Sequence, residues 1–137
     1  MIRRMRPIAL LLALAACVSK NDIPSLTTVT GVDLRRYSAK GFYFSDESYA
    51  GPHDAVGMIT VAQYAAATWV PDSAKWMLTP VRAQDVVDTV YTRAVSLGAD
   101  AFVRMTFRPV VREPVSPGQP ALPGLEISGF AIRRRSQ

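Results

Sequence analysis

A single histidine, His53, stands in Gly51-Pro52-His53-Asp54, a few residues after Asp46-Glu47. One imidazole and two carboxylates are the types that build a mixed nitrogen–oxygen metal site, so His53, Asp46 and Glu47 form a candidate metal set. A solvated loop histidine is the simpler reading, because one imidazole gives no ligand redundancy and the spacing matches no zinc pattern. A serine–histidine–aspartate arrangement would also have to use His53, yet no serine stands in a nucleophile-elbow setting. Asp85 and Asp88, three apart, share one side of a helix, where a solvated polar face accounts for them. No phosphate-binding glycine loop is present. Catalysis is not expected. Trp69, Trp76 and Tyr64 cluster in sequence around Val70-Pro71-Asp72 and form a candidate binding surface, with core or loop packing as the alternative.

The remaining chemistry belongs to Cys17, the only cysteine. Before it come Arg3, Arg4 and Arg6, an apolar run from Pro7 to Leu14, and small residues Ala15-Ala16, which is the layout of a secretion signal. The run spans about 15 Å as helix at 1.5 Å per residue, against a bilayer core of about 30 Å, so it is a poor transmembrane anchor. Leu14-Ala15-Ala16-Cys17 resembles the lipobox of bacterial lipoprotein precursors, which implies a signal over 1–16 and a diacylated Cys17 as the mature N-terminus. Covalent lipid on Cys17 is then the only group attached, with no other cofactor expected. Val18 in place of an aspartate favours the outer membrane facing the periplasm, where the host has one. The membrane is therefore the first expected partner, through the lipid.

The net charge of +5 falls by three, to +2, when Arg3, Arg4 and Arg6 leave with the signal. That balance and the secretory route both argue against nucleic acid as a partner. With Cys17 lipidated, the mature domain holds no thiol, which excludes disulfides, cysteine zinc sites and cysteine nucleophiles.

Several elements must position these residues. Residues 17–27 read as a polar tether, leaving 28–137 as a single domain. Asp33 can cap a helical turn over Asp33–Tyr37, and Gly41–Ser45 reads as an aromatic strand. Asp46–Asp54 is a loop. Ala55–Val70 is apolar on both parities, which predicts a central strand bending or breaking near Gln63. The clearest element is a helix over about 80–97, with Thr79 as cap, Pro80 first and Gly98 closing it. Its apolar face is Ala83, Val86, Val87, Val90, Ala94 and Leu97. Ala101–Arg112 reads as a half-buried strand, with Val103, Met105, Phe107 and Val111 on one face and arginines on the other. The proline-rich Glu113–Gly124 is a loop. Leu125–Arg133 is a second strand whose parity switches near Gly129, where a bulge is expected. Arg133-Arg134-Arg135 is expected to be a frayed, solvated end, with anionic lipid or lipopolysaccharide phosphate as the alternative contact. The pattern is α+β: a small, curved, mainly antiparallel sheet with one main helix on one face.

Asp33–Tyr37, Gly41–Ser45, Ala55–Ile59 and above all Arg93–Phe102, with its Gly98-Ala99-Asp100-Ala101 helix-to-strand junction, resemble small bacterial lipoproteins and the heavy-metal-binding domain family. The resemblance spans about residues 30–132 and implies a helix on a curved sheet and relatives that form ring-like homo-oligomers. The family's label brings no ligand set here, because the cysteines are missing. A related disulfide-bonded envelope-stress lipoprotein implies no sensor role for the same reason. The expected function is a lipid-anchored envelope module that binds or assembles, with itself or another envelope component. The alternative is a metal-binding or metal-sensing domain.

Overall fold

The computed structural model describes residues 31–136. The signal (1–16), Cys17 and the tether (17–27) lie outside the described residues. In chain order the elements are α1 (Arg35–Ser38), β1 (Tyr43–Phe44), β2 (His53–Tyr64), β3 (Ala66–Val70), a 3-10 turn (Pro71–Ser73), β4 (Lys75–Thr79), α2 (Ala83–Ser96), β5 (Ala101–Arg112) and β6 (Leu122–Arg134). Four strands form an open sheet in the order β1-β5-β6-β2, while β3 and β4 form a separate two-stranded ribbon. Only β1–β5 is parallel; β5–β6, β6–β2 and β3–β4 are antiparallel. The fold is α+β with one main helix.

The core follows the periodicity of α2. Val86, Val87, Val90 and Ala94 are fully buried against Ile59 of β2, Phe102 and Met105 of β5, and Ile127 and Ala131 of β6. Their helical spacing turns one stripe inward, and the burial of that stripe holds a helix too short to be stable alone. Tyr37 of α1 closes one end, its ring 5.1 Å from Phe44 and 5.0 Å from Tyr91. Its hydroxyl donates to Asp88 Oδ1 at 2.5 Å and accepts from Gln84 Nε2 at 2.7 Å. Burial, followed by the hydrogen bond to Asp88, pushes the Tyr37 hydroxyl up to about 12. A raised phenol pKa stabilises the native state fully below the unfolded value near 10, and that contribution is lost as pH rises through 12. Tyr37→Phe is expected to cost about 1–2 kcal/mol at neutral pH and to flatten the alkaline loss of stability between pH 10 and 12. Urea melts across that range measure it; an unchanged alkaline limb would assign the loss to other groups.

Several boundaries differ from the sequence expectation. Thr79 cannot cap α2, because it ends β4 opposite Ala66. Arg82, with extended dihedrals and no side-chain cap bond, takes the N-cap position instead. At the other end Gly98 does adopt the left-handed conformation (φ +80°). The Gly98 and Ala99 amides bond to the Val95 and Ala94 carbonyls at 2.9 and 3.0 Å. For α1, Asp33 accepts the Arg35 amide at 3.0 Å, although Leu34 occupies the cap position.

The long apolar segment breaks at Ala65, and β2 lies at the edge of the sheet rather than its centre. A bulge between Ala55 and Gly57 turns Val56 toward the same core as Ile59 and Val61, so part of the two-sided apolar pattern is a parity switch. A second bulge lies in β5, between Val103 and Thr106. Arg104 there has a left-handed backbone (φ +52°), and the Arg104 and Met105 amides donate to the Glu47 and Ser45 carbonyls, each at 3.0 Å. This separates Val103 from Met105, which simple alternation puts together: Met105 joins the main core, Val103 a smaller cluster with Ala101 and Ile132. β6 carries no bulge at the expected Gly129 and keeps register with β2 through it; the bulge lies on the facing strand.

β6 starts at Leu122, so the loop is residues 113–121, shorter than expected. Pro109 is tolerated inside β5 because β1 pairs only with Ala101 and Phe102, leaving an outer edge that needs no donor there. The arginine run is not frayed. Arg133 Nε donates to the Gly98 carbonyl at 2.8 Å, Arg134 pairs with Asp100 at 3.4 Å, and Arg135 pairs with Asp54.

Candidate functional site

His53 opens β2, and its Nδ1 donates to the Gly51 carbonyl at 2.8 Å, with the ring edge-on to Tyr49 at 5.8 Å. Asp46 and Glu47 lie in the preceding loop, where the Glu47 carbonyl is used by the β5 bulge. Among the described residues no three His, Cys, Asp or Glu side chains come together as a metal-sized group, so His53, Asp46 and Glu47 are not gathered into one. The helix carboxylates are likewise apart in role: Asp88 is held by Tyr37 and lies 3.7 Å from Arg36, while Asp85 sits in the first turn of α2.

The aromatic set is partly assembled. Trp69 and Trp76 face one another across the β3–β4 ribbon, their rings 5.4 Å apart at 65°. Pro71, preset for the first turn, and Ala74 in a left-handed conformation fold the chain back between them. Two-residue alternation and register place Ala67, Trp69, Trp76 and Leu78 on one face of the ribbon. The indole N–H of Trp76 donates to the Gly118 carbonyl at 2.9 Å, tying the ribbon to the 113–121 loop. That carbonyl is presented by a tight turn in which Pro117 and Gly118 (φ +83°) hold the central positions. Tyr64 is not in the pair. It ends β2, half-buried, with the Arg112 guanidinium 4.2 Å from its ring centre.

What remains open is the ribbon's apolar surface. On the tryptophan face Trp69 is 47% exposed and Leu78 is exposed beside it, while Met77, 55% exposed, stands on the opposite face. Val111 and Val115 add to the apolar surface at the same end of the molecule. A two-stranded ribbon is marginal by itself, and a cluster of exposed large apolar side chains marks a contact surface more often than a lone one does. Sequence reasoning found the tryptophans but missed Met77 and Leu78, because β4 carries no clean alternation. The register brings Leu78 to the Trp69 face and Met77 to the other.

No family model and no curated protein matches the chain. A solved structure does: a protein of unknown function of the DUF74 family from Pediococcus pentosaceus ATCC 25745, with a TM-score of 0.50. The two share a fold. The match covers 69% of this chain and 99% of that one at 12% identity, so the likeness speaks for the arrangement of elements and nothing more.

Proposed function

We propose that the protein is a lipid-anchored envelope lipoprotein whose domain works by binding and assembly, with the β3–β4 ribbon as its contact surface. The observation that carries this reading is the paired tryptophan face, which its own chain leaves open at Trp69. The outer edge of β2 supports it. From Gly57 to Tyr64 that edge strand carries no charge and no proline, the two usual guards against strand pairing between molecules. The lipobox-like segment ending at Cys17 supports a membrane anchor, and the resemblance to ring-forming lipoproteins, with their curved sheet, supports self-association.

Trp69→Ser is the discriminating variant. Native mass spectrometry and sedimentation on the chain from Val18 onward are expected to give a homo-oligomer for the wild type. The variant is expected to dissociate at least tenfold more readily, since losing a central interface tryptophan costs about 2 kcal/mol or more. Its far-ultraviolet circular dichroism should stay unchanged. A wild-type chain that remains monomeric at high micromolar concentration, or an oligomer indifferent to Trp69→Ser, would move the contact surface elsewhere.

A further inference from the structure

On the sheet face away from α2, at the end opposite the ribbon, lies a second open feature. Met58, Phe130 and Val103 stand side by side across β2, β6 and β5, with Ile132 on the same face two residues beyond Phe130. Tyr49 from the loop before β2 lies against this patch. Together they line a cavity of about 530 Å³, within the range of roughly 300–1,000 Å³ that encloses small molecules. Val103 and Ile132 are buried in its floor, whereas Met58 is 69% and Phe130 42% exposed on its walls.

Among the residues lining the cavity the one fixed charge is the Arg104 cation. Arg104 and His53 line it, and no aspartate or glutamate does. Arg104 lies 5.8 Å from the centre of the Phe130 ring, and among the described residues no carboxylate pairs with it. Arg108, Arg134 and Arg135 each have an acidic partner, while Arg112 and Arg133, like Arg104, have none among the described residues. The backbone of Arg104 is left-handed, a position where glycine or asparagine is at ease and a long side chain is strained. A strained residue whose cation overlooks an apolar cavity is an observation from which a function can be argued.

We infer that this cavity binds a small apolar anion, its hydrocarbon body on Val103, Ile132, Met58 and Phe130 and its anionic head at Arg104. The body gains from leaving water, and a carboxylate or phosphate accepts the guanidinium's charge-assisted hydrogen bonds. His53 Nδ1 is already engaged with the Gly51 carbonyl at 2.8 Å, so that nitrogen is not free for the head. Arg104 therefore carries the selectivity for charge.

Calorimetric titration of the full chain with octanoate, octyl phosphate, octanol and octyltrimethylammonium tests this with chains short enough to stay monomeric. Octanoate or octyl phosphate should bind at least tenfold more tightly than the cation or the alcohol. The tighter of the two anions assigns the head: phosphate points to a lipid-type ligand, carboxylate to a free fatty acid. Arg104→Gly should lose that preference while leaving octanol binding in place. Because glycine suits the left-handed backbone, this variant should melt no lower than wild type, and a rise of a few degrees is expected. Phe130→Ala should weaken all ligands together. Equal affinity for anion and cation, anion binding unaffected by Arg104→Gly, or no binding of any of the four at millimolar concentration overturns the inference.

Discussion

Phe102→Ala is expected to lower the unfolding free energy by about 3–5 kcal/mol, a large share of the roughly 5–15 kcal/mol that holds a domain together. Phe102 is the second residue of β5 and is fully buried within the cluster formed by α2, β2 and β6. Its ring crosses the backbone of β6 at Gly129, where an added Cβ would come within 2.7 Å of the ring and 2.8 Å of the Val103 carbonyl. Neither neighbour is a flexible tip. Gly129→Ala is therefore expected to cost about 1–3 kcal/mol by overpacking. The pair must then be non-additive: with the ring gone, the methyl at 129 meets only the carbonyl, and the double variant should lose about 0.5–3 kcal/mol less than the two single losses combined. Urea denaturation of the four chains measures the cycle. Strict additivity would mean that Gly129 is not there to admit Phe102.

That contact also marks where sequence reasoning stops. The apolar stripe of α2 from Ala83 to Ala94 and the left-handed Gly98 were legible, because each is local: a 3.6-residue period, and a glycine where a helix must turn out. Leu97, expected on the same stripe, is the C-cap and is exposed. β5 was legible in extent, from Ala101 to Arg112, but not in facing. A bulge is specified across strands, by the Ser45 and Glu47 carbonyls meeting two amides of β5, and no periodicity within β5 records it. The parity change near Gly129 has another origin: β6 keeps alternating, with Leu125, Ile127 and Ala131 toward the core and Phe130 and Ile132 toward the other face. The edge position of β2 was hidden for the same reason. Its two apolar faces look like those of a central strand, yet one serves the core with α2 and the other an open cavity.

The candidate sites divide along the same line. Trp69 and Trp76 could be picked by type, but their pairing and the company of Leu78 come from the register of a ribbon whose second strand has no sequence pattern. Arg104 could not be picked at all: in the sequence it is one of several arginines alternating along β5. Its distinction is a backbone angle and a place on the cavity lining. His53, Asp46 and Glu47 were chosen by type and proximity in sequence, and the loop geometry does not gather them.

Under the lipid anchoring proposed above, Cys17→Ser is expected to have the largest effect in the cell, removing the acyl chains from the N-terminal peptide and with them stable membrane attachment. Each buried methylene contributes about 0.8 kcal/mol, and one chain alone holds only marginally, whereas two or three anchor firmly. Little among the described residues can substitute. Among the described residues no helix is long and apolar enough to cross a membrane. Basic residues near an anionic surface contribute up to about 1 kcal/mol each, but Arg133, Arg134 and Arg135 are already engaged with Gly98, Asp100 and Asp54. A serine at position 17 also leaves the signal uncut, and its short apolar run is a weak hold beside a diacylated terminus. Intact mass separates the two situations: wild type should carry acyl mass on a chain beginning at residue 17, the variant an unmodified and uncut one. Carbonate extraction should then release most of the variant and leave the wild type in the membrane. An acyl-free wild-type chain, or a variant that resists extraction equally, would remove the lipid anchor from the proposal while leaving the ribbon and cavity to their own tests.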